Sequence, residues 1–137
     1  MASIKEKRSK WFYLLSIFLV LFGGATLKEG ASVLFFDSAA RAAAGNYVPF
    51  VLWFNFVAGF FYIVAGIGVG VKAQWDLRLS CAIVALTGAV FIALGVHIAM
   101  GGLYEKRTVI AMSLRTSIWA VTALMLYLQK AKHVKEL

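Results

Sequence analysis

Four long apolar runs, separated by short charged stretches, constrain this chain more than any other feature of it. The second, Tyr47 to Val71, and the third, Leu79 to Gly102, contain no Asp, Glu, Lys or Arg. As a helix, a run of about 20 apolar residues matches the hydrocarbon thickness of a bilayer. In lipid the backbone must satisfy its own polar groups, which leaves helices or a closed barrel, and runs this long and continuous select helices. Composition agrees. A 137-residue chain has the length of one domain, but 62% hydrophobic and only 15% charged residues do not suit a water-soluble one.

The expected fold is an all-α membrane protein: a single domain over 1–137, with four transmembrane helices in an antiparallel up-down bundle. The spans fall at about 11–29, 47–71, 79–102 and 109–128, with basic, solvated tails at 1–10 and 129–137. Lys28 and Glu29 close the first span by reaching toward the headgroups. Pro49 sits in the first turn of the second, where its missing N–H costs nothing. Between these two spans, 30–46 is too polar to cross, carrying Asp37 and Arg41, but Val33, Leu34, Phe35 and Phe36 suit a short interfacial helix.

Although the net charge is +8, the basic residues flank the apolar runs, which is an orientation signal and not a nucleic-acid surface. Nine Lys and Arg (Lys5, Lys7, Arg8, Lys10, Lys72, Arg78, Lys130, Lys132, Lys135) lie on one side against four (Lys28, Arg41, Lys106, Arg107) on the other. That imbalance puts both termini in the cytoplasm, in a bacterial inner membrane on this reading. The basic start lacks a small-residue cleavage site, so the first run is read as a retained helix. A lone cysteine, Cys81, makes no internal disulfide, and is expected to be a small packing residue. The chain has no phosphate-binding loop, nucleophile elbow or HExxH helix.

Hydrophobicity does not drive helix association inside lipid, so small residues at helical spacing point to contact faces. One such face carries Asn55, Gly59, Tyr62, Gly66 and Gly70; another carries Cys81, Ala85, Gly88, Gly95 and Gly102. The two are expected to meet each other, or one of them to serve a homo-oligomer.

Polar residues within a span are costly and define the candidate site. Asn55, His97 and Arg115 lie ~12, ~7.5 and ~9 Å below the same membrane face at the helical rise per residue. Glu29 and Glu105 sit above them, placed to neutralise Arg115 or to fix the tautomer of His97. Tyr104 joins the His97 face if that helix continues past Gly102. The stripe Thr108, Met112, Arg115, Trp119 and Thr122 would form the far wall, and the opposite half of each span reads as uncharged scaffold. Against this stands a plain structural role for each: Arg115 reaching headgroups, His97 hydrogen-bonded, Asn55 tying helices together.

Three functions follow. The one making fewest demands is a non-enzymatic oligomer or accessory subunit of a larger membrane complex, whose polar cluster ties the bundle together. The second is a binding or transport site where Arg115 holds an anionic, quinone-like or lipidic ligand, flanked by Trp53 and Trp119. The third is a redox protein, with His97 and Met100, helped by Met112, as copper ligands, or with His97 on a haem that needs a second ligand from another chain.

Overall fold

The structure is a computed structural model that describes residues 10–36 and 38–136; the side chains at 36, 40, 44 and 133–136 lie outside that description. The expectations placed on Lys5, Lys7, Arg8, Asp37 and the side chains of Phe36 and Lys135 therefore fall outside the described residues.

Every element among the described residues is helical: α1 (Lys10–Ala31) running into a π-helical turn (Ser32–Phe36), α2 (Ser38–Ala44), α3 (Pro49–Val71), α4 (Asp76–Ala99) and α5 (Lys106–Glu136). Four of these are long and apolar enough to cross a membrane: α1 with its π extension, α3, α4 and α5. Pro49 opens α3 in its first turn, as expected, and the Val48 carbonyl accepts the N–H groups of Val51 and Leu52. At the far end of α3, Lys72 adopts the left-handed conformation (φ 60°), and the Gly68 carbonyl accepts from Ala73 N–H at 2.9 Å.

Two helix limits differ from expectation. The tail after Leu128 was expected to be solvated, but α5 continues unbroken to Glu136. Lys130, on this extension, reaches Asp76 at 3.2 Å. The expected spans, 47–71 and 79–102, leave Asp76 between them. It is the first residue of α4 and fully buried, and the helix dipole favours a carboxylate there.

The closest helix pair is α1 with α3, and glycine makes it close. Gly23 lies so near α3 that an added Cβ would stand 3.0 Å from the Gly59 carbonyl and from the Ile63 nitrogen. One added at Gly66 would meet Leu19 and Val20 at 3.0 Å. Ser16 donates to the Gly66 carbonyl at 2.6 Å, a hydrogen bond made inside the apolar layer. Lower-numbered residues of α1 meet higher-numbered residues of α3, so these two helices run in opposite directions. The expected union of the α3 and α4 small-residue faces is thus corrected. Small spacing marked the α3 face, but its partner is α1. On α4, Gly88 and Gly95 have open space where a Cβ would go, and Cys81 is exposed and not packed.

Two apolar clusters fill the interior. The larger joins Leu19, Tyr62, Val69, Ile83, Trp119 and Leu126; the smaller joins Val48, Val51, Leu94 and Met112. Polarity is also distributed differently from expectation. The half read as uncharged scaffold buries Asp76 and Ser80 completely, with Ser16 nearly so. Asp76 and Ser80 are one turn apart on α4 and point to the same side.

Candidate functional site

Near the ends of the bundle opposite Asp76, α1, the start of α3 and the start of α5 enclose a cavity of about 140 Å³. Because α1 and α5 make no close backbone approach to each other among the described residues, long side chains and this space fill the gap between them. Its roof is the α1–α3 connection, held down from the other side. Glu105 accepts the Asn46 N–H at 2.9 Å, and Arg107 donates to the Ala43 carbonyl at 2.7 Å. Gly45 sits between them with φ +66°, a conformation that favours glycine, and a Cβ there would displace the Glu105 carboxylate from Asn46. Arg41 braces the same connection by donating to the Val33 and Leu34 carbonyls, at 3.0 and 3.1 Å, in the π-helical turn.

Arg115 forms the floor. It is 9% exposed, too little for a side chain reaching headgroups, and its Nε has no hydrogen-bond partner. No carboxylate among the described residues pairs with it. Its guanidinium lies 5.8 Å above the Phe22 ring, a contact worth about 2 kcal/mol when shielded from water. Phe22 in turn stacks on Tyr62 (5.6 Å), and Tyr62 packs on Trp119 (5.2 Å). An aromatic ledge therefore carries the charge. The Tyr62 hydroxyl lies beside Thr87 and Arg115 but reaches hydrogen-bonding geometry with neither.

Asn55 faces the cavity with its buried Oδ1 unpartnered, and Thr26, Glu29, Tyr47, Glu105, Arg107 and Thr108 complete the polar lining. Four of the seven expected site residues thus share one cavity: Arg115, Asn55, Glu29 and Glu105. The expected neutralisation of Arg115 by Glu29 or Glu105 does not occur; the carboxylates stand at the rim and the guanidinium at the floor. Trp119 is fully buried below the cavity, in the ledge.

His97 and Tyr104 are elsewhere. The chain leaves α4 at Ala99 and turns through Gly101 at φ +84°, so Tyr104 is in the connection, exposed, and does not extend the His97 face. The His97 ring nitrogen Nε2 lies 2.9 Å from the Leu103 carbonyl, which can only accept, so Nε2 carries the proton and the histidine ties the α4–α5 turn. Among the described residues no carboxylate orients it. Met100 is exposed, and Met112 is fully buried in the smaller apolar cluster. Trp53 packs edge-on against Phe35 and Phe56 outside the cavity, so it does not flank the Arg115 site.

The sequence reading missed Phe22, Thr26 and Arg107. Thr26 had a signal, being a polar residue one turn before Glu29 on the same helix face. Phe22 had none, because an aromatic residue in an apolar run looks the same whether it faces lipid or a guanidinium. No protein-family model, curated protein or solved structure matches this chain.

Proposed function

We propose that this is a non-enzymatic integral membrane protein that holds the polar head of an amphiphile in the cavity above Arg115. The helices form an antiparallel up-down bundle in a bacterial inner membrane, with both termini cytoplasmic and α2 lying in the opposite interface. The Lys and Arg imbalance supports that orientation. One observation carries the reading: a guanidinium, nearly buried, faces open space with its Nε unpaired. A structural tie would spend that donor on a carbonyl or carboxylate, and an interface anchor would be exposed. A cavity of about 140 Å³ suits a headgroup or a single ring, not a whole lipid. The protein purified in mild detergent is expected to retain a stoichiometric amphiphile, detected by mass spectrometry of its extract, and Arg115→Met to lose it. A wild-type protein that carries none, or a variant that keeps it, would count against the reading.

Self-association is supported by a separate observation. Cys81, Ala85, Ala89 and Ala93, spaced four apart on α4, are all exposed, which leaves a small-residue face unpacked. Oxidation of native membranes should join two chains through Cys81, the chain's one cysteine. Absence of the cross-linked dimer would argue against an α4-mediated oligomer.

A further inference from the structure

We infer that the ligand of this cavity is a zwitterion, with an anionic group reaching Arg115 and a primary ammonium resting at Glu29; this builds on the binding reading above. The cavity holds two opposite charges that do not satisfy each other. Arg115 lies at the floor over Phe22. Glu29 stands at the rim, exposed, and makes no hydrogen bond or ion pair among the described residues. Phe22, the ring under Arg115, and Glu29 are seven residues apart on α1, about 10 Å along the helix axis.

The lining as a whole carries Arg107 and Arg115 against Glu29 and Glu105, so its formal charge is zero. A ligand with net negative charge would gain at Arg115 but pass two carboxylates. One with net positive charge would meet the opposite obstacle at the floor. A neutral molecule with separated charges can set each against its opposite, the anion at Arg115 and the cation at the rim carboxylates. The rim charges are also unequal in availability. Glu105 is tied through Oε1 to Asn46 N–H and Arg107 donates to Ala43, whereas Glu29 makes no such contact among the described residues and has both oxygens open to a cation. Asn55 Oδ1, buried and without a donor, lies on the way to the floor and suits an N–H or O–H of the ligand. A more open hollow of about 390 Å³ adjoins the cavity and shares Glu29, Val33 and Arg107 with it, so the ammonium end lies beside open space.

Phosphoethanolamine chemistry has this order of charges, and it occurs both as a lipid headgroup and as a free soluble compound. The full-length protein, stripped of lipid in a neutral detergent, can be titrated with three probes and read by native mass spectrometry. These are short-chain phosphatidylethanolamine, short-chain phosphatidylglycerol, which lacks the ammonium, and chain-free glycerophosphoethanolamine. The ethanolamine lipid should bind about tenfold more tightly than the glycerol lipid, the effect of one charge-assisted contact. Glu29→Gln, at an exposed position, should erase that preference, by weakening the ethanolamine lipid and, with one rim carboxylate fewer, tightening the anionic glycerol lipid. Chain-free headgroup binding as well as the lipid identifies a soluble zwitterion; binding of the acylated probe alone identifies a lipid; either supports the inference. Equal affinity for both lipids in the wild type, or a preference that survives Glu29→Gln, overturns it. If both lipids also bind Arg115→Gln as tightly as the wild type, the cavity reading itself falls.

Discussion

The two ends of the bundle each bury a charge, and they treat it differently. At one end Asp76 is fully buried and meets Lys130 at 3.2 Å. At the other Arg115 is almost as buried, yet it faces a cavity and rests on an aromatic ring. A buried charge that has its counter-ion belongs to the architecture, and removing the partner is costly because the remaining charge stays in a poor solvent. One that has space instead of a counter-ion lowers the stability of the empty protein and gains by taking a ligand. The Asp76 end holds the helices together; the Arg115 end is held open.

Substitutions at the two ends should therefore differ in stability as well as in binding. Lys130→Met removes one charged partner of the buried Asp76 and is expected to cost about 2–3 kcal/mol in chemical unfolding in mixed micelles. Glu105→Ala removes the acceptor of the Asn46 N–H and should cost about 1 kcal/mol, with faster proteolysis in the α1–α3 connection. Arg115→Met removes a buried charge along with its ring contact, so unfolding should stay within about 1 kcal/mol of wild type while amphiphile retention is lost. A loss as large as that of Lys130→Met would make Arg115 a structural tie and erase the distinction between the ends. Glu29→Gln, at the rim, should change stability by less than about 0.5 kcal/mol, with its effect confined to headgroup selectivity.

The four spans were legible in the sequence because apolar length is a one-dimensional property, and lipid leaves the backbone few alternatives. Pro49 and the inward stripe of Met112, Arg115, Trp119 and Thr122 were legible for the same reason: each depends on spacing within one helix. Contacts between helices were not. The Gly59, Gly66 and Gly70 face was found from its spacing, but spacing does not name a partner, and α1 occupies the place expected for α4. Depth alone grouped His97 with Arg115 and Asn55. Equal depth is necessary for convergence, not sufficient, and the Leu103 carbonyl takes the His97 ring out of the group. Asp76 escaped notice because a charged residue just before an apolar run looks like part of a loop until Lys130 is seen to reach it.

The gap between α1 and α5 bears on where the cavity draws its occupant from. An amphiphile that reaches the cavity from the surrounding leaflet occupies it to an extent set by its mole fraction in the membrane and not by a concentration in water. For an acylated ligand, two cells with the same amount of this protein but different headgroup mixtures would hold it in different states, and the protein would register membrane composition.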